Sequence, residues 1–165
     1  MWNKVQEMQK ELDKYIHEKH GKEFDLNSLI LATIVELSEF ANDSRSFKYW
    51  MNDQTPKESL LEEAADVIHF MASLHNHLKI NLTETVYNIE SIEEVNRNII
   101  CIVQGISMLS VYDDKNKDIF IEYELSNSWE RFLGVCKYFG FSKENLFEAY
   151  LEKNKINYKR QEEKY

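Results

Sequence analysis

Two acidic pairs carry the chemistry most worth pursuing in this chain. Glu36-Leu37-Ser38-Glu39 and Glu63-Ala64-Ala65-Asp66 each set two carboxylates three residues apart. On a helix that spacing stacks both groups on one face, one turn apart. Two such helices packed antiparallel would bring four carboxylates to one point. Unit charges about 4 Å apart repel by about 4 kcal/mol at an effective dielectric near 20. A cluster of this kind is tolerable only if some groups hold protons or a divalent cation sits among them. Hard carboxylate oxygens select Mg²⁺, with Mn²⁺ as a substitute, and leave positions for water and phosphate. Spacing alone is a weak signal among 29 acids, and Glu90 and Glu93 repeat it on what reads as a solvated face. Context strengthens the first two pairs: both lie inside apolar segments, where unpaired carboxylates are costly.

Other residue types point the same way. Lys153, Asn154, Asn157 and Arg160 fall at offsets of 0, 1, 4 and 7, roughly one helical face, and cations and amides there can hold phosphate oxygens. The segment RSFKYWMNDQ supplies Arg45, Lys48 and Trp50, two cations for phosphate and an indole for a base. His69 follows Asp66 by three residues, but no other histidine has an acid three positions before it. A di-iron bundle needs that motif twice, so His69 reads as a packed side chain. Cys101 and Cys136 stand in separate apolar runs without a C-x-x-C spacing and read as reduced core thiols.

Six helices are expected to position these groups. The first runs from about Trp2 to His20 with Gly21 as its stop. The second runs from an Asn27 cap to Ser44, apolar almost throughout until Glu36, and is expected at the centre of the core. The third is expected to start at Thr55, with Pro56 in the first turn and Glu58 completing a capping box, and to end near Leu78. A fourth spans about Ile92 to Val111. DIFIEYEL, from Asp118 to Leu125, alternates like a strand, yet the long turn-free stretch after it favours a helix through SNSWERFLGVCKYF. Gly140 ends that helix, and Ser142 caps the last, to about Gln161.

Composition agrees with a single all-α domain over residues 1–165. Gly and Pro together number 5 of 165 residues, against a usual ~12%, too few for the turns of a sandwich, a barrel or a Gly-rich phosphate loop. Lys and Arg total 20 and Asp and Glu 29, a net charge of −9. An acidic surface repels nucleic-acid phosphates, and the one dense basic stretch, Lys153 to Lys164, is interleaved with Glu152, Glu162 and Glu163. No nucleic-acid partner is expected. No apolar run approaches the ~20 residues of a membrane span and no signal-peptide core is present, so no membrane association and a cytoplasmic location are expected.

The residues also carry a resemblance. Glu-x-x-Glu followed by Glu-x-x-Asp is similar to the MazG-like all-α nucleotide pyrophosphohydrolases. VELSEFANDSRSFKYW, LLEEAADVIHF and AYLEKNKINYKRQ resemble more narrowly the dimeric dUTPases among them. The likeness runs through four of the six helices; residues 83–126 carry no recognised motif. It implies a helical bundle with a central four-helix core binding metal, and hydrolysis of dUTP to dUMP and pyrophosphate by water attack at the α-phosphorus, with dUDP as a further candidate substrate. Glu36, Glu39, Glu63 and Asp66 would hold Mg²⁺, and Glu36 would orient or deprotonate the water. Gln9 and Trp50 match the family's uracil pocket. Asp13 stands where members often carry Asn; it can only accept a hydrogen bond when ionised. Lys153, Asn154, Asn157 and Arg160 would close over the phosphates, with Lys48 nearby, and a homodimer is implied. The alternatives are the same chemistry on another nucleotide, as in MazG-like or dCTP-hydrolysing relatives, and a non-catalytic helical interaction protein.

Overall fold

The computed structural model describes residues 1–22, 25–111 and 119–163. The described residues form six α-helices and no strand: α1 (Trp2–His20), α2 (Leu26–Ser44), α3 (Leu60–Leu78), α4 (Ile92–Met108), α5 (Ile119–Tyr138) and α6 (Lys143–Glu162). A short 3₁₀ turn, Leu109–Val111, extends α4. No helix among the described residues is long and apolar enough to cross a membrane.

Local chemistry sets most of the boundaries. Gly21 closes α1 in the left-handed conformation at φ 62°, which costs glycine little. Ser142 and Asn145 form a reciprocal capping box at the start of α6. The alternating segment from residue 119 is helical after all, because its exposed apolar side chains have no sheet to join; Asp118 and Lys164 lie outside the described residues. Two expected starts are corrected. The cap of α2 is Asp25, whose carboxylate accepts from the Ser28 amide at 2.9 Å, so Asn27 lies inside the helix. The Thr55 capping box does not form, and α3 begins only at Leu60. Side chains and carbonyls elsewhere hold residues 53–59 instead: Asp53 accepts from the Thr55 amide, Arg45 donates to the Thr55 carbonyl, and the Asp43 carbonyl accepts from the Lys57 amide.

The most buried helix is α3, not α2. Ala64, Ala65, Val67, Ile68, Met71, Ala72 and Leu74 are all nearly inaccessible, whereas Leu31 and Val35 on α2 are 63% and 45% exposed. Three helices surround α3. Its start meets the end of α2 where Ser59 donates to Asp43 at 2.5 Å. Its end lies by the start of α2, with Ser73 and His77 lining the same recess as Leu29. The two helices are therefore antiparallel. On α1, Gln6 and Gln9 bond to Asn76 and Ser73, and on α6, Tyr150 stacks on His69. The second half adds α4 and α5. One core cluster runs through the described helices, from Trp2 and Val5 to Trp129, Phe132 and Tyr150.

Candidate active site

The antiparallel pairing of α2 and α3 turns two sequence motifs into one cluster. Carboxylate oxygens of Glu36, Glu39 and Glu63 lie within 4.8 Å of one another. Burial, then repulsion from Asp66, Glu39 and Glu63, pushes Glu36 up to about 7. Glu63 is raised for the same reasons, with Asp43 as its first charged neighbour. Asp66, one turn along from Glu63, sits in an ion pair with Lys153 at 2.5 Å. Burial raises its carboxyl, and Lys153 offsets part of that. Lys153 is itself buried and also bonds Glu62 at 3.0 Å. Desolvation would lower the ammonium, but the two carboxylates outweigh it and hold its pKa above the usual lysine value.

Beside this cluster is a cavity of about 270 Å³ lined by Gln9, Leu12, Asp13, Ile16, Glu36, Asp66, His69, Phe70, Ser73, Asn157, Arg160 and Gln161. Six sequence-predicted residues therefore share one wall: Gln9, Asp13, Glu36, Asp66, Asn157 and Arg160. Glu36 belongs to both the cavity and the acidic trio, which makes the two one site. Asp13 accepts from Gln9 at 2.8 Å and from Ser73 at 2.9 Å. Burial pushes its carboxyl up to about 6, against the pull of those two bonds.

Asn154, Lys48, Trp50 and Arg45 do not line that cavity. Asn154 is buried and donates to the Tyr150 hydroxyl at 3.4 Å. Lys48 lies over the Phe47 ring at 5.7 Å. Trp50 is 62% exposed, edge-on to Tyr49 and Phe47. Arg45 is engaged with Asp53 and Thr55. His69 is packed as expected, its pKa pushed down to about 3 by burial. Sequence reasoning missed Ser73 and Phe70. Ser73 lies four residues after His69 and seven after Asp66, so helical spacing pointed to it.

The donor set suits a hard divalent cation: three carboxylates at ligand spacing on α2 and α3, one of them, Glu36, raised to about 7 by burial and then by its acidic neighbours. The whole chain, residues 1–165, matches the protein family described as dUTPase. The chain belongs to the all-α, dimeric dUTPase family. No curated protein matches it significantly. Membership gives the chain dUTP diphosphatase activity, the hydrolysis of dUTP to dUMP and pyrophosphate. The dUTPase family uses a divalent metal and a nucleotide substrate.

Proposed function

We propose that this dUTPase is Mg²⁺-dependent and that Glu36, Glu39, Glu63 and Asp66 hold the metal, with Mn²⁺ as a substitute. The observation that carries the reading is the acidic trio opening through Glu36 onto a cavity walled by Gln9 and Asp13. A bound divalent cation supplies charge neutralisation at the triphosphate and lowers the pKa of water. Glu36 orients the attacking water and accepts its proton. The new P–O bond forms at the α-phosphorus, the bond to the bridging oxygen breaks, and pyrophosphate leaves with the charge it gains. Arg160 and Asn157 reach the phosphates from α6. Lys153 gives up Asp66 to do the same, Asn154 steadies that turn, and Lys48 approaches from the loop. Gln9 and Asp13 form the base end of the cavity, and Trp50 covers the uracil. The diphosphate dUDP fits the same arrangement, since the scissile bond lies next to the α-phosphorus in both.

Leu31 and Val35, exposed and four residues apart on α2, support pairing with a second copy through that helix face. The two separate free cysteines fit a reducing cytoplasm. The net charge of −9 supports the absence of a nucleic-acid partner, and residues 1–165 serve as one catalytic domain.

Incubating the chain with each deoxynucleoside triphosphate and Mg²⁺ tests the substrate and metal together. The expected result is pyrophosphate release from dUTP, abolished by EDTA and restored by Mg²⁺. Turnover of dCTP in preference to dUTP would reassign the base, since an ionised Asp13 can also accept from a cytosine amino group; activity untouched by chelation would end the metal assignment. Sedimentation is expected to give a dimer that Leu31→Glu converts to monomer, and a monomeric wild type would exclude pairing through α2.

A further inference from the structure

The Gln9 side chain is 4% exposed, and every bonding position of its amide is engaged. The two Nε2 hydrogens go to Asp13 Oδ1 at 2.8 Å and Ser73 Oγ at 3.0 Å. Oε1 accepts from His69 Nδ1 at 2.6 Å and from the Tyr150 hydroxyl at 3.2 Å. That hydroxyl is also 3.2 Å from the Val5 carbonyl, so its single proton is shared. The one donor committed to Gln9 Oε1 is therefore His69 Nδ1–H. The imidazole in turn is 97% covered and stacked on the Tyr150 ring, with centroids 4.2 Å apart. Its other nitrogen, Nε2, makes no hydrogen bond of normal geometry among the described residues, and Gln9 Oε1, 2.6 Å from Nδ1, can only accept, so Nδ1 carries the proton of a neutral ring.

We propose that His69 is a positioning residue for base recognition: its Nδ1–H fixes which end of the Gln9 amide faces Asp13, and so presents Asp13 to the base as a hydrogen-bond acceptor of set direction. Without that donor the amide is free to turn over. Its carbonyl would then face the Asp13 carboxylate, acceptor against acceptor, and the pair would have to separate. The base then meets a displaced Asp13. No hydrogen bond from Gln9, Asp13, Ser73 or His69 reaches a carboxylate of the acidic trio, so the effect should fall on binding more than on the phosphorus chemistry. The inference rests on Gln9 and Asp13 forming the base end of the site.

Two variants separate a donor from a mere filler. His69→Phe keeps a ring against Tyr150 and removes the donor. His69→Asn removes the ring and keeps an N–H near the Nδ1 position. The expected result is that His69→Phe raises the KM for dUTP about fivefold to tenfold, the worth of one neutral buried hydrogen bond, with kcat changed less than twofold, and that His69→Asn stays closer to wild type in KM despite a lower Tm. The reverse order, with Phe close to wild type and Asn impaired in KM, would overturn the assignment and leave His69 as packing. A second readout needs no substrate: hydrogen exchange of the Gln9 side-chain amide, followed by NMR in the metal-free chain, should accelerate at least about tenfold in His69→Phe and little in His69→Asn. Unchanged exchange in His69→Phe overturns the proposal. If exchange accelerates while His69→Phe and Gln9→Ala both leave the KM untouched, the positioning of Gln9 stands and it is the base-end reading of the cavity that fails.

Discussion

Glu63 and Trp50 carry different proposed roles, metal ligand and cover for the base, and their loss should read differently. Glu63 is one of three carboxylates sharing a ligand-sized space. Glu63→Gln keeps the shape and removes the charge. Turnover of dUTP should fall by more than ~10²-fold, since even outer partners of a metal site are worth 10–100-fold. The metal-free Tm should hold or rise, because the substitution relieves repulsion that already raises Glu36 and Glu63. Full activity in Glu63→Gln would remove it from the metal site. Trp50→Ala should instead raise the KM for dUTP with a smaller change in kcat, as expected for lost stacking on an exposed ring. A kcat loss matching that of Glu63→Gln would rule out a stacking role. At this scale much was legible in advance: the acidic motifs, Gln9, Asp13 and Arg160 all converge. The bonding state of each group was not. Sequence spacing cannot say that Lys153 neutralises Asp66, or that Gln9 is saturated by four partners, because all of these partners but Asp13 come from α3 and α6 at separations of 60 residues and more.

Elements are positioned by contacts of another kind. The helix boundaries at Gly21, Gly140 and Ser142 could be read because each depends on a few adjacent residues. The start of α3 could not: Thr55-Pro56-Lys57-Glu58 has the form of a capping box, yet Asp43, twelve residues earlier, accepts from Lys57 and Ser59, and the helix starts only at Leu60. Burial works against the Asp43 carboxyl, but those two bonds outweigh it and keep its pKa low. The burial of α3 over α2 was likewise hidden, since both helices are apolar and only the packing decides which is surrounded. In the motif-free second half, residues 83–90 lie along α5: Trp129 donates to the Thr83 carbonyl at 3.0 Å and the Tyr87 amide to the Glu130 carbonyl at 3.1 Å. Gly134 makes that approach possible, because a Cβ there would stand 2.6 Å from the Tyr87 carbonyl oxygen. Gly134→Ala should therefore lower stability by about 1–3 kcal/mol, despite the better helix propensity of alanine. The metal site, on α2 and α3, should keep its Mg²⁺ affinity. A Tm equal to or above wild type would show that this segment yields freely.

For the whole molecule the acidic site should invert the usual dependence of stability on pH. Glu36, Glu63, Asp66 and Asp13 all have raised pKa values, Glu36 to about 7 and Asp13 to about 6. A carboxyl raised in this way keeps its proton in the folded chain after the unfolded chain has lost it. Stability therefore falls as pH rises from the ordinary carboxylate range through the folded values. Groups such as Asp43 and Glu84, whose pKa values are lowered, act the other way, and their contribution disappears only below the ordinary range. Burial lowers His69 to about 3 and His75 to about 4, so both stay neutral in the fold while the unfolded chain binds their protons, and they oppose this trend below about pH 6.5. The metal-free chain should accordingly lose Tm between about pH 6.5 and pH 8. Mg²⁺ should reverse that loss, because it binds the charged form that alkaline pH exposes and must displace a proton at acid pH. At about 100 times its Kd a ligand stabilises by about 2.7 kcal/mol, which for a chain of this size is a shift of roughly 5–10 °C. The shift at a fixed Mg²⁺ concentration should grow steadily from pH 5.5 to pH 8, and Glu36→Gln should flatten both the metal-free slope and the metal response. Thermal scans across that range with and without Mg²⁺ decide the matter: an equal Mg²⁺ shift at both ends of the range would mean that no carboxyl with a raised pKa lies where the ion binds.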